Sequence, residues 1–247
     1  AHALRIRLKL NDPLQIVTFR SYGTLNTFYV KGRLLKDKMI RKPTDKDTVL
    51  NNLLSMYKRF ESDEVPHALL NINFQGKLYP VTTDNEGYFM LEISGESAIP
   101  GNDMWLQVGV KLVDAPEAFS GSVKGVASVL IPPGDAEYGI ISDIDDTIVK
   151  THATDFLAMS RTTFLNNSLT RLPFAGVAAF YKSLQLGRNG KRNNPFFYVS
   201  SSPWNLYDLL TDFFDLNEIV EGPLLLRDYG LSENSENDNH QSHKLLE

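Results

Sequence analysis

An apolar run that ends in closely spaced aspartates places the strongest constraint on how this chain can fold. The run, residues 138–142 (YGIIS), is followed at once by Asp143, with Asp145 and Thr147 at alternate positions after it. A short apolar run of this kind is typical of a buried parallel strand, and ligands bind at the carboxyl ends of such strands. Two nearby carboxylates can divide the work of phosphoryl transfer, one attacking and one handling protons. The alternative is an Asp-rich surface turn, since short motifs also occur without function.

A second apolar run, residues 196–199, has the aromatic and β-branched composition of a buried strand. It leads into three serines at positions 200–202, and helical spacing follows over residues 205–214. Ser202, which precedes a proline, suits the cap of that helix. This leaves Ser200, at the tip of the strand, as the hydroxyl that faces a ligand.

Helical spacing over residues 176–184 lies between the two apolar runs. The chain therefore predicts a strand–helix–strand unit with two parallel strands side by side. In that arrangement Asp143 and Ser200 end neighbouring strands. We expect their side chains to face one common pocket.

These segments resemble the bacterial and fungal phosphatidate phosphatase catalytic domain, a family of the haloacid-dehalogenase (HAD) superfamily. The resemblance runs from about Tyr138 to Lys244 and is carried, in order, by the strings YGIISDIDDT, RLPFAGVAAFYKSL, FFYVSSSPWNLYDLL and EGPLLLRDYG. It implies a HAD-like Rossmannoid domain with a parallel α/β sheet over residues 135–247. It also implies a phosphatase that converts phosphatidic acid to diacylglycerol.

The resemblance implies a role for each matching residue. Asp143 would attack phosphorus and become a phospho-aspartate, and Asp145 would protonate the leaving oxygen and later activate water. Thr147 would orient the loop by hydrogen bonding. Ser200 would hold a phosphoryl oxygen, and Lys244 would neutralise charge between the nucleophile and the phosphate.

The same resemblance implies Mg²⁺ as the cofactor, held by the carboxylate of Asp143 and the backbone carbonyl of Asp145. Mg²⁺ is a hard ion that prefers oxygen ligands, and an attacking carboxylate needs a cation near the phosphate. We also expect Ser201 and Arg227 to contact the substrate. For Arg227, which ends another strand-like run, a structural ion pair is an equal alternative.

Members of the family continue past the lysine into another strand and an acidic loop that holds the magnesium. This sequence ends at Glu247, soon after Lys244. We therefore expect a catalytic domain that is truncated at its C-terminus, with weak metal affinity and without turnover of its own.

The first 134 residues are predicted to form a β-sandwich-like domain that ends near the Pro-Pro-Gly sequence at 132–134. Gly, Asp, Asn and Pro separate short runs of strand-like composition. One helical pattern at residues 49–60 interrupts the strands. The predicted strands are 4–10, 17–20, 27–35, 68–74, 88–93, 105–110 and 128–131.

Composition excludes several classes of function. The net charge of −5 argues against a general nucleic-acid binder, and the absence of cysteine excludes disulfides and zinc thiolate sites. No apolar run approaches the roughly 20 residues that span a bilayer. We expect a cytoplasmic enzyme with peripheral membrane contact whose partner is phosphatidic acid or a related phosphate monoester. Two alternatives stay open: a HAD phosphatase of small soluble phosphomonoesters, and a non-catalytic module that binds phosphatidic acid.

Overall fold

The computed structural model describes residues 13–36, 64–100, 104–116, 119, 121–144, 147–148 and 174–227. The predicted strand 4–10 and the predicted helix 49–60 lie outside these residues. The described residues of the N-terminal part form strands, as their composition predicted. They are β1 (Leu14–Phe19), β2 (Ser21–Tyr22), β3 (Thr27–Lys36), β4 (Leu69–Phe74), β5 (Lys77–Thr82), β6 (Tyr88–Ser94), β7 (Trp105–Asp114) and β8 (Lys124–Leu130).

These strands form two sheets. One has the order β1-β3-β6 and the other the order β2-β8-β7-β4-β5. β2 and β8 pair in parallel, and the other neighbours pair antiparallel. Along β4 the buried side chains alternate with more exposed ones. That period of two is typical of a sheet with one face on a core.

The inward faces of the two sheets share one apolar core. Phe28 of the first sheet and Ile72 and Val108 of the second are completely buried in it. The rings of Phe28 and Phe74 meet edge to face across the core, with centroids 4.9 Å apart. The β-rich character of the N-terminal part is therefore confirmed, while a domain boundary at residue 134 stays a prediction.

Strands and helices follow one another in the described residues of the C-terminal part. The elements are β9 (Ile140–Asp143), α1 (Val177–Leu186), β10 (Phe196–Pro203), a 3₁₀ helix (Trp204–Leu206), α2 (Tyr207–Leu216) and β11 (Leu224–Arg227). The three strands pair in parallel in the order β11-β10-β9. The predicted strand–helix–strand unit is therefore present. A larger sheet of HAD type stays a prediction, because these are the only parallel strands after residue 138 in the described residues.

Both helices pack on the same face of this sheet. The ring of Tyr198 in β10 lies 6.4 Å from that of Tyr181 in α1 and 4.6 Å from that of Phe214 in α2, measured between centroids. The hydroxyl of Tyr198 donates to the carbonyl oxygen of Val220 over 2.7 Å, so this buried phenol is paired. In the described part of the chain, no helix combines the length and apolar character needed to cross a membrane.

The expected helix cap at Ser202 is not observed. Strand pairing continues to Pro203, which lies opposite Arg227 after a shift in register. Ser202 is therefore a strand residue and caps no helix, and α2 begins only at Tyr207. The reason is the pairing of β10 with β11, which keeps the chain extended and cannot be read from the local sequence.

The β-rich part packs directly against the segment that follows β10. The ring of Phe19 in β1 lies 4.5 Å from that of Trp204 and 4.7 Å from that of Tyr207, measured between centroids. The backbone N–H of Arg20 donates to the Tyr207 hydroxyl over 2.7 Å. The Lys31 ammonium lies 4.2 Å from the centre of the Trp204 ring, a cation–π contact.

A buried arginine adds a polar connection between the two parts. Arg33 donates to the side-chain oxygen of Asn205 over 2.9 Å, to the carbonyl oxygen of Glu86 over 2.8 Å and to the Glu64 carboxylate over 3.0 Å. Its guanidinium also lies over the ring of Tyr88, 4.3 Å from the centroid. One side chain thus joins the turn before β6 to the 3₁₀ helix after β10.

The buried phenol of Tyr207 makes a testable contribution to stability. Burial raises the pKa of Tyr207 to about 12, above its ordinary value near 10. Above pH 10 the unfolded chain loses a proton that the folded chain keeps, so the stabilisation present below pH 10 is lost as pH rises toward 12. From this residue we expect the free energy of unfolding to fall by roughly 1.4 kcal/mol per pH unit in that range.

Urea denaturation of the wild type and Tyr207→Phe between pH 8 and 11.5 measures this slope. The variant should be less stable at pH 8, because it loses the hydrogen bond from Arg20, but should show the shallower decline above pH 10. Equal slopes in the two proteins would contradict the assignment.

Candidate active site

Three parallel strands end at one edge of the C-terminal sheet, and four of the residues predicted from the sequence lie there. Asp143 is the last residue of β9 and is aligned with Val199 of β10. Ser200 and Ser201 follow Val199 directly, and Arg227 is the last residue of β11. The structure therefore brings these side chains to neighbouring strand ends, the usual position of a ligand site in such a sheet.

The carboxylate of Asp143 is oriented by a hydrogen bond from the backbone of the next residue. Its Oδ1 accepts a hydrogen bond of 2.8 Å from the N–H of Ile144. The same N–H lies 3.2 Å from the carbonyl oxygen of Val199, which continues the pairing of β9 with β10. Asp143 is exposed, and its Oδ2 has no hydrogen-bond partner among the described residues. One carboxylate oxygen is thus fixed by a backbone hydrogen bond.

The three serines do not all face the same way. Burial alternates along β10, so that Ser200 and Ser202 are buried with Tyr198, while Ser201 is exposed with Val199. Because Asp143 is aligned with Val199, Ser201 lies on the Asp143 face of the sheet and Ser200 on the opposite face.

This differs from the expectation that Ser200 and Asp143 face one pocket, although their strand ends are adjacent. The oxygen of Ser200 instead accepts a hydrogen bond of 3.0 Å from the N–H of Ser202. That bond stabilises the chain as it shifts register toward β11.

A buried hydrogen-bond chain behind Asp143 was not found from the sequence. The Ser142 hydroxyl donates to the carbonyl oxygen of Asp143 over 2.8 Å and lies 2.6 Å from the hydroxyl of Tyr181. Ser142 and Tyr181 are 7% and 5% exposed, respectively. The one sequence signal was a single hydroxyl, Ser142, inside an otherwise apolar run. Its partner is 39 residues away, so local pattern could not identify it.

The remaining predicted residues are placed in part. Thr147 is exposed, and the N–H of Ile148 donates to the carbonyl oxygen of Ile144 over 3.0 Å, which keeps Ile148 close to the end of β9. Arg227 is exposed at the end of β11. Asp145 and Lys244 lie outside the described residues. The roles expected of all these side chains stay predictions.

The candidate site offers one oxygen ligand of the kind that magnesium prefers. The exposed Asp143 carboxylate suits a hard divalent cation. No group of three or more His, Cys, Asp or Glu residues that could hold a metal occurs within the described ranges. Of the two predicted magnesium ligands, the described residues include Asp143 and do not include Asp145, so the magnesium site stays a prediction.

A shallow surface depression of about 440 Å³ lies away from this site. Its lining includes Arg192, which precedes β10, and Val220 and Glu221, which precede β11. It therefore opens at the amino edge of the sheet, opposite Asp143. Its mixed charges include the ion pair of Lys182 with Glu218, and it contains none of the residues predicted to act on phosphate.

Comparison with known proteins identifies a family that the C-terminal part of the chain resembles. Residues 138–247 match the family model of the catalytic domain of phosphatidate phosphatase APP1. Phosphatidate phosphatase APP1 of Saccharomyces cerevisiae (strain ATCC 204508 / S288c) is 37% identical over 92 residues, which are 37% of this chain and 15% of the yeast protein. The chain thus spans a small part of that relative. The family resemblance inferred from the motifs is therefore confirmed for residues 138–247, which are similar to the catalytic domain of phosphatidate phosphatase APP1.

Proposed function

We propose that this protein is a magnesium-dependent phosphatidate phosphatase that hydrolyses phosphatidic acid to diacylglycerol and inorganic phosphate. The observation that carries the proposal is the Asp143 carboxylate, exposed at the carboxyl edge of the parallel sheet within the segment that matches the family. The name of the yeast relative supports the same substrate.

The proposed reaction has two steps. In the first, Oδ2 of Asp143 attacks phosphorus, the bond from phosphorus to the glycerol oxygen breaks, and Asp145 gives that oxygen a proton. In the second, Asp145 removes a proton from water, which attacks the phospho-aspartate and releases phosphate. The hydrogen bond from the Ile144 N–H to Oδ1 supports this assignment, because it orients the carboxylate with the other oxygen available.

Charge neutralisation is the main requirement of such a reaction, because the attacking carboxylate and the phosphate repel each other. A bound Mg²⁺ would supply positive charge at the phosphoryl oxygens, with the Asp143 carboxylate and the Asp145 carbonyl as its protein ligands. Lys244 would add a second positive charge, and Thr147 would steady the loop.

The phosphoryl group would be held at the ends of β10 and β11. Ser201 lies exposed on the Asp143 face, and its position favours a contact to a phosphoryl oxygen. Ser200, on the opposite face, would act indirectly, because its oxygen accepts from the Ser202 N–H and so stabilises the backbone beside the phosphate. Arg227, at the end of the next strand, would bind the substrate phosphate from the other side of β10.

We also propose that β9, α1, β10, α2 and β11 are part of a HAD-like sheet. Their parallel order β11-β10-β9, with a helix after β10 and another before it, supports this topology. The acidic residue at the end of β9 is in the place where open α/β sheets bind ligands.

Replacement of the nucleophile tests the proposed chemistry. We expect Asp143→Asn to lower kcat for phosphatidate at least about 10³-fold, because an amide cannot form the acyl phosphate. Phosphate release from mixed micelles of detergent and phosphatidate measures the effect in the full-length protein, with Mg²⁺ present and with EDTA added. EDTA should abolish activity, and renewed Mg²⁺ should restore it.

Asp114→Asn is the matched control, because it removes one exposed carboxylate at the end of β7 in the β-rich part. It should keep wild-type activity. Full activity in Asp143→Asn would contradict the role of Asp143 as the nucleophile. Activity that EDTA leaves unchanged would contradict the requirement for Mg²⁺.

Substrate comparison separates the proposed function from its alternatives. We expect kcat/KM for phosphatidate to exceed that for glycerol 3-phosphate by roughly 100-fold, because each buried acyl CH₂ contributes about 0.8 kcal/mol. Hydrolysis of soluble phosphomonoesters without hydrolysis of phosphatidate would instead indicate a soluble substrate. Binding to phosphatidate liposomes without phosphate release, unchanged in Asp143→Asn, would indicate a lipid-binding module.

A further inference from the structure

We propose that Tyr181 and Ser142 are positioning residues that orient the Asp143 carboxylate for attack on phosphorus. The proposal rests on the phosphatase function proposed above and adds two residues to its machinery. Neither residue reaches the exposed face on which a substrate would bind, because both are buried. They would act on the reaction through Asp143 alone.

The donor and the acceptor can be assigned in both hydrogen bonds of the Ser142 hydroxyl. A serine hydroxyl carries one proton, and a carbonyl oxygen can only accept, so the Ser142 proton is used in the bond of 2.8 Å to the carbonyl oxygen of Asp143. In the contact of 2.6 Å with Tyr181, the tyrosine hydroxyl must then be the donor. The chain runs from the Tyr181 hydroxyl through the Ser142 hydroxyl to the Asp143 carbonyl.

These hydrogen bonds are connected to the Asp143 carboxylate through one rigid peptide group. The carbonyl of Asp143 and the N–H of Ile144 belong to the same planar unit, so a bond that orients one also orients the other. That N–H donates to Oδ1 of Asp143 over 2.8 Å and lies 3.2 Å from the carbonyl oxygen of Val199. Ser142 therefore fixes the carbonyl of this peptide group, and the N–H of the same group fixes the Asp143 carboxylate.

Tyr181 is itself held firmly. It lies on α1, and its ring centroid is 5.1 Å from that of Phe196 and 6.4 Å from that of Tyr198. A hydroxyl in such an apolar cluster costs free energy unless it is hydrogen-bonded, and a phenylalanine would fill the same space without that cost. The hydroxyl is thus placed where it can direct Ser142, with the core between α1 and the sheet as its support.

Removal of the Tyr181 hydroxyl tests the proposal, and β10 offers a matched control. Tyr181→Phe and Tyr198→Phe each remove one buried phenol oxygen from the same core, but the Tyr198 hydroxyl donates to Val220 instead of the chain behind Asp143. We expect similar losses of stability in the two variants. Tyr181→Phe should lower kcat roughly 10-fold to 100-fold with little change in KM, whereas Tyr198→Phe should stay within about 2-fold of the wild type.

Ser142→Ala tests the next hydroxyl in this series of hydrogen bonds. It should lower kcat at least as much as Tyr181→Phe, and the double variant should be no slower than Ser142→Ala, because the two residues act as one unit. Additive losses in the double variant would overturn this coupling. A kcat for Tyr181→Phe that equals that of Tyr198→Phe would overturn the positioning role.

Amide hydrogen exchange gives a readout that does not depend on catalysis. The Ile144 N–H should exchange faster in Tyr181→Phe than in Tyr198→Phe, because the peptide plane is less restrained. Unchanged protection of Ile144 in Tyr181→Phe would overturn the proposal. An inactive wild type that still shows this difference in exchange would refute the phosphatase function while upholding the effect of Tyr181 on the carboxylate.

Discussion

Parallel pairing of β9 with β10 is the interaction on which the candidate active site depends. It aligns Asp143 with Val199 and directs the Ile144 N–H toward both the Val199 carbonyl and the Asp143 carboxylate. A four-residue strand such as β9 has few backbone hydrogen bonds of its own. Its position is therefore supported by the core on one face of the sheet, where the aromatic rings of Tyr181 and Tyr198 pack. The geometry of the Asp143 carboxylate therefore depends on how this core packs.

The β-rich part contributes to the same edge of the sheet. Phe19 and Lys31 contact the ring of Trp204, and Arg33 bonds to Asn205. Both contacted residues follow within a few positions of the serines at 200–202. Burial of aromatic surface and a hydrogen-bonded guanidinium are strong local constraints. The segment that would hold a phosphate is thus set between the parallel sheet and the β-rich part, so that its shape depends on both.

Local pattern predicted the elements better than the orientation of their side chains. Apolar runs and helical spacing were enough to predict β9, β10 and the helix between them, because periodicity belongs to each segment alone. The face occupied by Ser200 was not predictable in this way, since it depends on which residue of β9 aligns with Val199. The end of β10 was misjudged for the same reason, because pairing with β11 keeps Ser202 extended.

The sequence by itself determined the chemistry at the strand end: a carboxylate at Asp143 after an apolar run, hydroxyls after a second run, and motifs that resemble those of a known catalytic domain. Tertiary structure decided which hydroxyl shares a face with Asp143 and which buried groups support it. The contact of Ser142 with Tyr181 joins residues 39 positions apart. Such a hydrogen bond forms only when a helix packs on the sheet, and no local periodicity encodes that packing. Composition and motif therefore predict which groups are present, whereas register and packing determine how they are directed.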